Sequence, residues 1–550
     1  MIRNLTCSLL LCVANALSAQ TMGLLQYDPN YADGYLLFSP QSNTTTYLID
    51  RCGLEVKQWS SAYTPGLMAL LQSDGSLLRT ANTGNAIFTA GGRGGRIERF
   101  DWNGNLTWAY DLSTDSLCQH HDFCVLPSGN ILVTLWDRRD SVDAVQHGKN
   151  PALANAEIWS ERILELEPIG TDSAAVVWEW RLWDHLVQDR DNALPGYAVV
   201  AEHPELVDIN FFQGPPINVD WIHLNSISYN ADLDQVLVSS HSLDELWVID
   251  HGTTTAEAAG HMGGARGHGG DLLYRWGNAR SYDLGVLADQ QLFGQHNATW
   301  LPAGHPYAGS ILVFNNGLGR PGADYSSVDI ITPPTDGNGN YTFTPGQAYG
   351  PAAAAWTWSM PTPTDLFAQN ISGVQPVADG YLITDGPRGR AIQIDAAGDV
   401  QWSYINPVSQ NGPMMQGATA QGNTVFRYAY YPPDFDGFTG VSLVPGDEIE
   451  LNPIAPSLCL MSGLEEPQAN AVELFPNPAH DAITVRLGEG EEPSTLVVID
   501  ALGREQGRYA ANSTSATTLA LDGLQAGPYM VAMLDAKGRP QARARFVKVD

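Results

Sequence analysis

Between residues 25 and 455 short apolar runs alternate with turns, and no amphipathic helical period of any length appears. What recurs is a pair of short apolar runs about a turn, followed by a run centred on tryptophan. The paired runs lie at residues 68–78, 123–133, 227–238, 299–314, 374–383 and 418–426. The Trp-centred runs lie at Trp59, Trp108, Trp178 and Trp180, Trp276, Trp356 and Trp358, and Trp402. Four short strands per unit, six times over, predict an all-β chain folded as a six-bladed β-propeller. Each unit alone would leave apolar faces bare, and stacking around a ring covers them. An eight-bladed ring is the rival, but six copies are present.

The pattern changes after about Ser457. A Glu/Pro/Gln/Asn stretch precedes alternating runs such as Ile483–Val485, Leu496–Ile499 and Tyr529–Ala532, which predict a small antiparallel β-sandwich. At the other end Arg3, the apolar run Leu5–Val13 and the small residues of Leu17-Ser18-Ala19 have the order of a secretory signal peptide. Leu11 before Cys12 argues against lipid attachment there. The predicted organisation is a signal peptide at 1–19, a propeller at 20–457, a linker at 458–470 and a sandwich at 471–550.

Composition narrows the function. The 550 residues hold 28 Lys plus Arg against 60 Asp plus Glu, a formal net charge of −32. Residues 20–470 carry 19 basic and 50 acidic side chains, whereas residues 471–550 carry 8 and 10. The excess therefore belongs to the large domain, and without a basic stripe nucleic acid is excluded as a partner. No run reaches the length of a membrane-spanning helix. Fifteen Trp, 21 Tyr and 15 Phe supply the burial that disordered chains lack. Signal-peptide removal leaves Cys52, Cys118, Cys124 and Cys459, for which Cys118–Cys124 and Cys52–Cys459 are the expected disulfides.

Candidate chemistry appears when the paired runs are superposed on their turns. His121 precedes Pro127 by six residues, His223 precedes Tyr229 by six, and His296 precedes Pro302 by six. The first and fifth copies carry Leu67 and Ser372 at that place. The register predicts the start of the innermost strand, so imidazoles from three adjacent blades converge at one mouth of the channel. Such a group suits an anion or a metal with an open position.

Longer motifs carry a resemblance. Trp221–Asn230 with Asp234–Ser240, His120-His121-Asp122-Phe123 with Leu126–Asn130, Gly294–Asn297, and Asp250–His261 through Gly270–Asn278 resemble bacterial aryl-sulfate sulfotransferases across nearly all of residues 50–440. The resemblance implies a six-bladed propeller that moves a sulfuryl group from an aryl sulfate to a phenol, without a nucleotide sulfate donor, a cofactor or a metal. It implies His296 as the nucleophile that becomes transiently sulfated, with His223 and His121 holding sulfuryl oxygens and moving protons. Asn225, His241, His120, Asn315 and Arg388 complete the candidate substrate-binding set. The family arginine after Ser239-Ser240 is replaced here by His241, and Gln375-Pro376 stands where relatives carry Gln-Arg. Either His241 takes that role in part, or Arg388, Arg390 or Arg427 reaches in, or activity is reduced.

Phe475-Pro476-Asn477-Pro478, Ile499-Asp500, Gly503, Gly527-Pro528-Tyr529 and Phe546–Val549 resemble the C-terminal sorting domain of type IX secretion cargo. That implies partnership with the secretion machinery and a secreted or outer-membrane-surface location in a Gram-negative bacterium, by way of the periplasm. The alternative functions are a non-catalytic surface propeller that binds sulfated or phenolic ligands or partner proteins, and a metal-dependent hydrolase using the three His. Residues 263–270 lack the Lys-Ser/Thr and strand-to-helix setting of a phosphate loop and are expected to form a flexible loop near the channel. Asp336–Asn340 lacks the later Glu of a calcium loop and is expected to be an exposed turn.

Overall fold

The computed structural model describes residues 20–28, 32–214, 217–336, 338–378, 380–453, 472–487, 495–500, 505–511, 516–534 and 540–549. The expected signal peptide, the linker at 458–470 and Cys459 lie outside the described residues. Antiparallel strands dominate. Six sheets of four consecutive-neighbour strands account for most of residues 20–453, one of them extended by a fifth strand.

Five of the six sheets are built from strands local in sequence. Their first strands are Pro65–Leu71, Leu117–Val125, Leu224–Asn230, His296–Trp300 and Gly373–Val377. The sixth departs from expectation. Residues 418–424 contribute no strand; instead Val425–Tyr431 pairs with Tyr35–Pro40, whose sheet continues through Thr45–Asp50 and Glu55–Ser60. Gly23–Tyr27 adds to the edge of the last local sheet by pairing with Val400–Ile405. Both ends of the domain are thus knitted together by backbone hydrogen bonds between strands from opposite ends of the chain.

The recurring tryptophans have a common task. Trp59 donates its indole N–H to Asp101 O, Trp108 to Ser173 O, Trp180 to Gly270 O, Trp276 to Pro351 O, Trp358 to Gly398 O, and Trp402 back to Arg51 O. Each bond runs from the last strand of one sheet to the next sheet, and the sixth returns to the first. A large apolar ring fills the gap between sheets while its one polar atom finds a carbonyl. All six indoles are buried.

Residues 472–549 form a three-stranded and a four-stranded sheet that share one apolar cluster, including Ile483, Val485, Leu496, Val498, Val531 and Phe546.

The cysteines correct one expectation. Cys118 and Cys124 are free thiols. Both sit on the single bulged strand Leu117–Val125, opposite Trp136 and Leu132 of the next strand, so about 13 Å separates them, beyond the reach of a disulfide. Cys52 is disulfide-bonded, and its partner lies outside the described residues. Residues 263–270 also differ from a flexible channel loop: Arg266 is held by Asp250, Leu233 and Asn338, beside the outer strand Leu272–Trp276. Asp336 caps an exposed turn by accepting from Asn338 and Asn340.

Candidate active site

At the place shared by the paired runs the backbone turns left-handed. Leu67, His121, His223 and Ser372 have φ of 103°, 52°, 54° and 84°, and beside His296 it is Asn297 that takes φ of 56°. Pairing to the second strand slips at each of the three His strands. A bulge of this kind re-aims one side chain at a cost of about 1 kcal/mol or more for a non-Gly residue. Gly92 closes over His121: its carbonyl accepts the His121 N–H at 2.7 Å, and an added Cβ there would meet the imidazole at 1.9 Å.

The result is a continuous string of five imidazoles. Ring centroids are 5.2 Å apart from His120 to His121, 4.5 Å to His223, 5.3 Å to His241 and 5.3 Å to His296. The structure therefore brings together His296, His223, His121, His241 and His120.

His296 is buried, and its Nδ1 lies 2.8 Å from Asn316 Oδ1 and 3.1 Å from Gly294 O. The Asn316 amide donates to Ala368 O and Ile371 O. That pins its orientation and leaves Oδ1 as the acceptor facing the imidazole. Nδ1 of His296 must then carry the hydrogen, so Nε2 keeps the lone pair. Burial, and then the neighbouring His241, hold its pKa well below the usual imidazole value despite the Asn316 bond. His296 is a neutral imidazole with one open nitrogen.

His223 has the opposite environment. Its Nδ1 lies 2.5 Å from Asp220 Oδ2, while Trp136 donates to the other Asp220 oxygen at 3.0 Å. Burial opposes its charge, but the charge and hydrogen bond of Asp220, with the charge of Glu161, outweigh burial and raise the pKa. His241, with no such carboxylate, is pushed down to about 3 by burial and by His223. His121 is likewise held well below its usual value, first by burial and then by His223 and His120. One imidazole whose charged form is favoured thus stands among others whose charged form burial disfavours.

His120 is sealed in. It stacks on Trp136 at 4.3 Å, its Nε2 meets Glu161 Oε2 at 2.9 Å, and its Nδ1 meets His121 Nδ1 at 2.8 Å. Both nitrogens are occupied, so it acts on the group only through His121. Asn225 donates to Gln295 O at 2.7 Å, and its buried Oδ1 has no hydrogen-bond partner. Arg427 is buried, paired to Asp122 at 2.7 Å and bonded to Asn225 O at 3.1 Å. Its positive charge also depresses the His296 pKa.

Two candidates are engaged elsewhere. Asn315 is buried and satisfied by Phe293 N, Gln291 O and Asp329, whereas its neighbour Asn316 holds His296. Arg388 is half exposed and bonds Asp385 and Phe367 O. Sequence reasoning missed Asn316, Asp220 and Glu161. Asp220, three residues before His223, carries a readable signal as a carboxylate within reach of that ring; Glu161 comes from a distant strand and carries none.

A cavity of about 500 Å³ has His241 and Gly294 in its wall, together with Phe211, Phe212, Trp221 and Leu318. Lys149 also lines it, bonded to Ile209 O and 4.9 Å from the Trp221 ring, with its pKa lowered to about 8 by burial. The wall is largely apolar, with Lys149 and the carboxyl side chains Glu157 and Asp244 in its lining, and it suits an aromatic group.

Comparison with known proteins adds the following. A family model described as arylsulfotransferase matches residues 25–332, and one described as a secretion system C-terminal sorting domain matches residues 473–547. The sorting tail indicates secretion or placement on the outer surface, and no helix among the described residues is long and apolar enough to cross a membrane. No curated protein matches. Among solved structures the chain is similar to a protein of unknown function from Bacteroides caccae, at 11% identity over 73% of this chain and 99% of that one, with a TM-score of 0.40. It is also similar to the periplasmic gluconolactonase PpgL of Pseudomonas aeruginosa, at 12% identity over 89% and 99%, with a TM-score of 0.35.

Proposed function

The chain belongs to the arylsulfotransferase family, and from that premise we propose that it is a secreted, nucleotide-independent aryl-sulfate sulfotransferase working through sulfated His296. The six sheets are then the blades of a propeller over residues 20–457. Residues 1–19 are its signal peptide, 458–470 its linker, and 471–550 a sandwich read by the type IX machinery on the way through the periplasm of a Gram-negative cell. The observation that carries the proposal is the His296 imidazole, fixed by Asn316 so that Nε2 is open, in one string with His223, whose charged form Asp220 favours.

In the first half-reaction the Nε2 lone pair attacks sulfur and the bond from sulfur to the aryl oxygen breaks. The departing aryl oxide takes the proton of His223, so no free phenolate is released into a buried, acidic domain. The N-sulfonated imidazolium keeps its Nδ1 hydrogen on Asn316, which spreads the new charge. In the second half-reaction His223, now neutral, removes the proton of an incoming phenol, whose oxygen attacks sulfur and returns His296 to its starting state. One difficult transfer becomes two easier ones.

His121 and Asn225 serve the sulfuryl oxygens as donors: burial favours the protonated Glu161 carboxyl, which donates to His120, and His120 donates to His121 Nδ1, leaving hydrogen on His121 Nε2, while Asn225 offers its second amide hydrogen. The apolar cavity beside His241 takes the aryl group. The lost family arginine is offset in part by Arg427, whose charge is felt at His296 although it is paired to Asp122; Arg388 has no part. Fixed donors in a water-poor site are each worth on the order of a hundredfold in rate.

A second reading, a propeller that binds sulfated ligands without turning them over, is favoured by one feature: His241 stands where the family has a permanent cation and is itself neutral. Exchange between phenyl sulfate and a second phenol separates the two. Transfer with ping-pong kinetics, abolished in His296→Ala and His296→Asn, supports the enzyme; saturable binding with no transfer across several donors and acceptors removes it.

A further inference from the structure

Away from the imidazole string, His185, His261 and Asp271 each offer one ligand atom, and these atoms all lie within 4.8 Å of one another. His185 is fully buried and stacked on Trp180, with ring planes 3° apart. Its Nε2 lies 2.8 Å from Ala258 O. A carbonyl only accepts, so this nitrogen carries hydrogen, and Nδ1 is the ring atom left to face Asp271. That Nδ1 points at Asp271 Oδ1 from 2.8 Å, and His261 Nδ1 points at the same oxygen from 2.8 Å. A proton or a metal ion shared between these atoms satisfies such contacts, and two imidazole nitrogens on one carboxylate oxygen form a ready ligand set.

The surroundings suit a metal. An imidazole whose remote N–H is fixed by a backbone carbonyl is the usual support of a metal ligand. Asp271 is nearly buried, whereas the His261 side chain is 60% exposed and opens to a cavity of about 640 Å³ that also holds His203, Glu205 and His268. Ion entry therefore has a path, and a fourth position is left for water. The close packing behind the group is specific: an added Cβ at Gly270 would lie 2.1 Å from Ala258 O and 2.7 Å from His185 Nε2. The last glycine of the 263–270 segment thus serves to seat Asp271 against His185.

We propose that His185, His261 and Asp271 bind one divalent zinc ion, which ties the 251–271 loop to the turn at Leu182–Asp184. Two imidazoles, one carboxylate and an open position form a set to which zinc is suited. Binding replaces any proton held between these atoms, so apparent affinity falls on acidification. The proposal is independent of the sulfuryl chemistry.

The test is calorimetric titration of the chelator-stripped mature chain with zinc chloride, alongside His261→Ala, His296→Ala and the remote control His305→Ala. His261 is exposed, and its variant is expected to melt with the metal-free wild type. The expected result is one zinc per chain, unchanged in His296→Ala and His305→Ala, and weakened at least about a hundredfold in His261→Ala. Added zinc then raises the melting temperature of wild type but not of His261→Ala. Absence of binding up to about 100 µM zinc, binding that survives His261→Ala, or binding lost in His296→Ala overturns the assignment.

Discussion

Asn316 Oδ1 lies 2.8 Å from His296 Nδ1, and the Asn316 amide is itself held by two backbone carbonyls. This bond chooses which imidazole nitrogen is open. Asn316→Ala is therefore expected to lower kcat for sulfuryl transfer roughly 10- to 1000-fold while KM moves little. Steady-state kinetics with an aryl sulfate donor check it; an unchanged kcat contradicts the role.

Asp220 supplies the pH dependence. His223 must be protonated to serve the leaving group, and Asp220 raises its pKa against burial. Phenol release in the first turnover should persist below that raised value and fall as pH climbs through it. In Asp220→Asn the charge is gone while the contact to Trp136 can remain, so burial prevails and the falling limb moves to lower pH. Rapid-quench release of phenol across pH reads this directly, and superimposable limbs would show that another acid is used.

The cavity beside His241 should govern donor choice. Phe212 is 39% exposed and lines that cavity, so its truncation is not expected to harm folding. Phe212→Ala should raise KM for aryl donors by about fivefold or more, as loss of apolar contact worth about 1 kcal/mol or more requires. Arg388→Ala, remote from the string in its bonding, should leave both constants within about twofold.

The thiols give a check on the fold. Burial pushes Cys118 up to about 11 and Cys124 up to about 12, so neither forms thiolate near neutral pH. Both should resist a thiol reagent in the native protein and react in urea without any reductant. Peptide mapping of the labelled sites decides; a Cys118–Cys124 disulfide peptide would contradict the strand that separates them.

Much of the architecture was legible because repetition magnifies weak signals. One Trp-centred run says little, whereas Trp59, Trp108, Trp180, Trp276, Trp358 and Trp402 mark the same inter-sheet bond six times. The shared register of His121 and His223 coincides with a left-handed backbone turn, for which Leu67 and Ser372 are the non-His counterparts. What stayed hidden depends on partners far apart in the chain. Val425–Tyr431 joins strands from the N-terminal end, which no local pattern announces. Glu161 reaches His120 across 41 positions. The choice between Asn315 and Asn316 turns on strand pleat, since adjacent side chains face opposite ways. The Cys118–Cys124 pairing failed for a simpler reason: proximity in sequence is not proximity in an extended strand.

Sulfuryl transfer through His296 is tested most directly by mass. The protein is mixed with phenyl sulfate without acceptor, quenched in alkali, digested and weighed. The account predicts one added sulfuryl group on the peptide containing His296, gone after a phenol is supplied and absent from Asn316-intact His296→Ala. Turnover of the donor with no modified peptide, or with the group on another residue, would contradict it.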